Sequence, residues 1–109
     1  MKTGKLAALA LSLLLLVGCA AGPVSAVPRK VTLVAKSTET EFWQSVFAGA
    51  TAAASEYNVA LTIVGPETEE DYEAQNNYIE QAVADGAQAL VFSAISYTEY
   101  APAIDAAAA

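Results

Sequence analysis

Val31-Thr32-Leu33-Val34-Ala35-Lys36-Ser37-Thr38-Glu39-Thr40-Glu41-Phe42-Trp43 is the stretch on which the fold turns. Its first part, Val31 to Ala35, is apolar and β-branched without polar alternation. That is the pattern of a strand buried on both faces of a parallel sheet. Its last part opens a helical periodicity from Glu41 to Tyr57, with Phe42, Val46, Gly49, Ala50, Ala53 and Tyr57 along one stripe. The small residues of that stripe let a helix lie close on a sheet. Between strand and helix is a short polar turn in which Thr38 and Glu41 have the Thr-x-x-Glu spacing of a capping box. Open α/β sheets bind ligands at the carboxyl ends of their strands, which is where this turn falls.

The same unit recurs twice downstream. Asn58, a residue tolerated in a left-handed position, ends the first helix. Val59 to Val64 is a second strand, stopped by Gly65-Pro66. Thr68 to Asp71 repeats the capping spacing, and the acids around it suit the positive end of a helix dipole. The second helix is expected to bury Tyr72, Ile79, Ala82 and Val83 and to stop at Asp85-Gly86. Ala87 to Phe92 is a third strand, and Ser96 to Glu99 offers a third capping box. Pro102 fits best in a first turn, which moves the start of the last helix a residue or two past Ser96. Alternating βαβαβα with short connections predicts a three-layer α/β arrangement, a parallel sheet with right-handed crossovers and helices on its faces. The loops Lys36–Glu41, Gly65–Glu70 and Ser93–Thr98 then open on one edge of the sheet.

The N-terminus reads as targeting sequence. Lys2 and Lys5 precede an apolar run, Leu6 to Val17, broken only by Ser12. The run falls short of the ~20 apolar residues a spanning helix needs and fits the hydrophobic region of a secretory signal. Leu16-Val17-Gly18-Cys19 then resembles a bacterial lipobox, in which the cysteine thiol is lipidated and the chain is cut just before it. This reading assigns residues 1–18 to a signal peptide, makes Cys19 the membrane-lipid attachment point and leaves residues 19–30 as a tether held irregular by Pro23 and Pro28. The alternative is a signal peptide cleaved after Val24-Ser25-Ala26, with Cys19 discarded. Either way the mature chain lies outside the cytoplasmic membrane.

Composition removes several function classes. The 109 residues carry a formal net charge of -7, so no basic surface exists to neutralise nucleic-acid phosphates. Without histidine, neither a Ser-His-Asp triad nor a His-bearing zinc site can be assembled. No glycine-rich phosphate loop is present to support a Rossmann-like enzyme, the reading kept as an alternative from another class. The carboxylates Glu67, Glu69, Glu70, Asp71 and Glu73 are explained by the helix dipole rather than by a metal, and no cofactor is expected. What remains is a function that needs shape and hydrogen bonds.

Residues 31–109 resemble the start of a type I periplasmic-type binding protein, of the ribose- and galactose-binding class that serves ABC transporters. The resemblance is carried by the turn ending in Phe42-Trp43, by Gly49-Ala50 with Ala52-Ala53-Ala54, and by Gly65-Pro66-Glu67-Thr68. Gln75 with Ile79-Glu80-Gln81-Ala82, Gly86 to Phe92, and Tyr100 to Ile104 complete it. It implies a non-catalytic, two-lobed clamp that closes on a sugar or similar small polar ligand and presents it to an ABC permease. A related possibility is the same clamp feeding a membrane histidine kinase or chemoreceptor. Three strands leave both sheet edges uncovered, so the chain is expected to be the opening portion of a longer protein, holding half of its first lobe.

By position, the resemblance puts ligand contacts at Lys36, Thr40, Phe42 and Trp43 in the first loop, and at Ser93 and Ser96 in the third. A sugar presents C–H faces and a rim of hydroxyls, so its site needs an aromatic platform and convergent polar groups. Phe42 and Trp43 are candidates for the platform, with the indole N–H as a donor, although Phe42 also heads the stripe expected to be buried. Lys36 follows the strand directly and is either a ligand donor or a solvated charge. Ser37, Thr40, Ser93 and Ser96 supply hydroxyls, Ser96 alternatively as a cap. Many sugar-binding members have Asn-Pro where Thr40-Glu41 stands here, and Asn or Asp where Ser93 stands, so the particular sugar is left open.

Overall fold

A computed structural model describes residues 26–109. The expected signal peptide, Cys19 and most of the expected tether lie outside the described residues. Strand β1 (Arg29–Val34) is central, with β2 (Val59–Val64) and β3 (Ala89–Phe92) hydrogen-bonded parallel to it in the order β2-β1-β3. Helix α1 (Glu41–Glu56) joins β1 to β2, α2 (Tyr72–Ala84) joins β2 to β3, and α3 (Ala101–Ala108) follows β3. Right-handed crossovers in this strand order put α1 on one face of the sheet and α2 on the other. Val34 pairs with Val64 on one side and Phe92 on the other, so all three strands end at the same level. The expected three-layer βαβαβα arrangement is therefore the observed one, and its three strand-to-helix loops do share an edge.

Strand alternation divides the apolar residues between the two faces. Toward α2, Val34 packs with Ile79, Tyr100 and Ala103, flanked by Val64, Leu90 and Phe92. The Phe92 and Tyr100 rings meet edge to face at 5.9 Å, a favoured aromatic geometry. Toward α1, Leu33 and Ile63 are half-buried, while Val91 on β3 is exposed because α1 sits mainly against β2.

Several local expectations are corrected. The buried face of α1 is rotated by about one residue from the predicted stripe: Trp43 is buried and Val46, Phe47, Ala50 and Ala54 are partly covered, whereas Phe42, Gly49, Ala53 and Tyr57 are exposed. Trp43 is larger than Phe42 and has a polar partner on the protein, which fixes the helix rotation. On α2, Gln75 joins Ile79 and Ala82 as a buried residue, and Tyr72 and Val83 are exposed. The polar residue is inside because its amide is satisfied there by backbone groups, as described below.

The predicted capping boxes are displaced as well. Thr40, not Thr38, caps α1: it is extended (φ -90°, ψ 150°) and its Oγ1 accepts from the Trp43 N–H at 3.4 Å. Asp71, expected to close a box begun by Thr68, is itself the cap of α2, accepting from the Ala74 N–H at 2.9 Å. Ser96 accepts from the N–H groups of Thr98 and Glu99, but the turn it closes does not continue into α3. That helix starts only at Ala101, with Pro102 in its first turn, as the missing proline N–H requires. Strand β3 starts at Ala89 rather than Ala87, because Ala87 still closes the end of α2 through Ala82 O. Asn58 takes the left-handed conformation expected of it (φ 53°), and Gly86 does the same after α2 (φ 78°).

Candidate ligand-binding site

The loop after β1 is fastened on both sides. On the β2 side, the Thr38 N–H donates to Pro66 O at 2.9 Å and the Ser37 hydroxyl to Glu67 O at 2.8 Å. Ser37 is fully buried and also accepts from the Glu39 N–H at 3.1 Å, so its hydroxyl is spent on shaping the loop. Gly65 permits this approach. A Cβ there would stand 3.0 Å from the carbonyl oxygen of Ala35, which is backbone and cannot swing aside. The same seam carries a side-chain bond, in which the Trp43 indole Nε1–H donates to Glu69 Oε1 at 2.8 Å.

On the β3 side the fastener is Gln75, fully buried on α2. Its Nε2 donates to Ala35 O at 2.8 Å and to Ser93 O at 2.9 Å, and its Oε1 accepts from the Ile95 N–H at 2.9 Å. One amide thus satisfies three backbone groups at the ends of β1 and β3 that have no sheet partner there. Buried polar groups persist when paired in this way. The sequence pointed to Gln75 only as part of a resemblance. Its placement at the spacing of Ile79 and Ala82, as the sole polar residue on an apolar face, was the available signal.

The six candidate contacts fall into three situations. Lys36 and Ser93 follow the ends of the adjacent strands β1 and β3 and are both half-buried, so that the two belong to the same loop edge. Phe42 projects into solvent with 67% of its surface exposed, while Trp43 is only 8% exposed. The two rings meet edge to face at 5.2 Å, and Trp43 also stacks on Phe47 at 6.2 Å. Thr40 and Ser96 are occupied as caps, Thr40 for α1 and Ser96 for its own loop. The indole N–H expected as a ligand donor has Glu69 as its acceptor. An unforeseen aromatic, Tyr97, stands wholly exposed in the third loop. Of the acidic residues, Asp71 caps a helix and Glu69 holds the indole. A cavity of about 350 Å³ lies beside α2 and the edge strand β2, lined by Lys30, Thr32, Thr62, Tyr78, Gln81 and Asp85 among others. None of the six candidate contacts borders it.

A parallel α/β sheet with its loops gathered at one edge is the open-sheet arrangement in which ligands bind at the carboxyl ends of the strands. Residues 31–109 match the periplasmic binding protein domain family, and the chain belongs to it. A carbohydrate transporter solute binding protein from Agrobacterium radiobacter, solved with D-arabinose, is 30% identical over 77% of this chain, with a TM-score of 0.72. An ABC transporter solute binding protein from Burkholderia multivorans is 26% identical over 75% of this chain, at a TM-score of 0.70. An ABC transporter periplasmic solute binding protein from Actinobacillus succinogenes, with bound D-allose, shares the fold at 21% identity over 73% of this chain and a TM-score of 0.70. The chain spans 28%, 30% and 28% of the lengths of these three proteins, respectively. A search of curated protein sequences finds no match.

Proposed function

We propose that this segment is the opening half of the first lobe of an extracytoplasmic solute-binding protein, which captures a sugar and delivers it to an ABC permease. The observation that carries the reading is the loop edge. Lys36 and Ser93, both half-buried, leave the adjacent strands β1 and β3 on this edge, and Phe42, at the start of the helix that follows the first loop, leaves 67% of its surface exposed. An exposed aromatic face with a cation and a hydroxyl on the same loop edge suits a ligand with C–H faces and a hydroxyl rim. The sugars bound by two of the structural neighbours support the same class. Binding here requires no bond making or breaking, and the protein acts as a clamp rather than an enzyme. The second wall of the cleft comes from a second lobe, supplied by the longer protein.

A thermal-shift screen of the full-length protein against pentoses, hexoses, nucleosides and amino acids tests this. A rise in Tm with at least one sugar is expected; a response confined to amino acids or nucleosides would replace the sugar assignment.

The same proposal places the protein on the membrane through Cys19, with residues 1–18 removed and residues 19–30 as tether. Two acyl chains give stable anchoring where one is marginal. Incorporation of a labelled fatty acid should depend on Cys19, and labelling that persists in Cys19→Ser would rule the anchor out.

A further inference from the structure

The acids that follow β2 were accounted for by the dipole of α2, but the structure separates their tasks. Asp71 makes the cap hydrogen bond of α2. Glu69 reaches instead across the seam to the first loop, where its Oε1 lies 2.8 Å from the indole nitrogen of Trp43. This is the contact that joins a side chain of the second loop to an aromatic of the first. A hydrogen bond to an ionised carboxylate is shorter and stronger than a neutral one and directional at the donor.

Trp43 is the middle member of three rings. It stacks on Phe47 at an interplanar angle of 28° and meets Phe42 at 83°. Rotation of the indole about its side-chain torsions would break both ring contacts and withdraw the surface against which Phe42 rests. Phe42 itself has little else to hold it, being 67% exposed. The orientation of the exposed ring therefore depends on the buried one, and the buried one is tied at its nitrogen to Glu69.

We propose that Glu69 is a positioning residue for ligand recognition: it fixes the plane of the Trp43 indole, which in turn holds Phe42 as the aromatic wall of the site. This rests on the sugar-binding reading above. It extends that reading by assigning part of the specificity to the second loop, which supplies none of the candidate contacts. Trp43 then contributes its ring as a support, with its N–H already committed to the protein. Holding the wall in place before the ligand arrives lowers the ordering cost of binding.

The test uses the full-length protein with 15N-labelled tryptophan, the Trp43 indole signal being assigned by its loss in Trp43→Phe. Glu69→Leu should shift that signal and speed exchange of the indole proton with solvent. It should also weaken binding of D-arabinose, or of whichever sugar the thermal screen selects, by about three- to tenfold. Glu69→Gln keeps an acceptor oxygen and should restore most of both properties. An unchanged indole signal in Glu69→Leu overturns the proposal. So does a changed signal with unchanged sugar affinity, which would make the bond structural only. If no sugar binds the wild type, the sugar reading falls, and the indole measurement alone still decides whether Glu69 sets the Trp43 plane.

Discussion

The Nε2 of Gln75, on the buried face of α2, donates to the carbonyl of Ser93 at 2.9 Å while also holding the carbonyl of Ala35. The distance between the first and third loops is therefore set from beneath by a fully buried residue. Removing the amide leaves the buried Ala35 carbonyl and the partly buried Ser93 carbonyl and Ile95 N–H without partners. Each such group costs about 1–3 kcal/mol, partly relieved by water entry. Gln75→Leu is expected to lower the unfolding free energy of the full-length protein by about 2–4 kcal/mol, read from urea denaturation. A loss under about half a kcal/mol would mean that other groups or water satisfy these atoms equally well.

Gly65→Ala probes the other seam. The added methyl would lie 3.0 Å from Ala35 O, closer than an ordinary carbon–oxygen contact, and the backbone on both sides is held by sheet and loop hydrogen bonds. Overpacking of this kind costs about 1–3 kcal/mol. The expected result is a lowered denaturation midpoint, accompanied by weaker ligand binding as the Thr38–Pro66 bond lengthens. A variant of wild-type stability would show that the two loops can separate freely.

The core makes a separate prediction. Ile79 is fully buried and touches the central strand through Val34, so truncation leaves a void that the β1 backbone cannot fill. Ile79→Ala should cost about 2–5 kcal/mol, whereas Val83→Ala on the same helix, where 36% of the residue is exposed, should cost well under half as much. Equal losses at the two positions would contradict the assigned face of α2.

The elements themselves were legible because their signals are local. Val59–Val64 was bounded on one side by Asn58 and on the other by Gly65-Pro66, and the strand runs between those limits. What misled was anything decided by a distant partner. Phe42 and Trp43 are neighbours with the same apolar character, and the polar partner that helps to make the larger indole the buried one, the Glu69 carboxylate, is 26 positions from Trp43. Gln75 was marked only by the resemblance, because the three backbone groups it serves lie just past the ends of β1, earlier in the chain, and β3, later in it. The capping residues were misplaced by the abundance of choices. Between Ser37 and Glu41 the sequence offers Ser37, Thr38 and Thr40, and the selection of Thr40 follows from Ser37 and Thr38 being drawn into the β2 seam.

The exposed aromatic carries the central claim, that this sheet edge is one wall of a sugar-binding cleft. Titration calorimetry of the full-length protein with its selected sugar, compared between wild type and Phe42→Ala, tests it most directly. Loss of the stacking face should raise Kd by about tenfold or more, with the denaturation midpoint nearly unchanged because Phe42 lies outside the core. An affinity equal to that of the wild type would contradict the account and move the ligand away from the first loop.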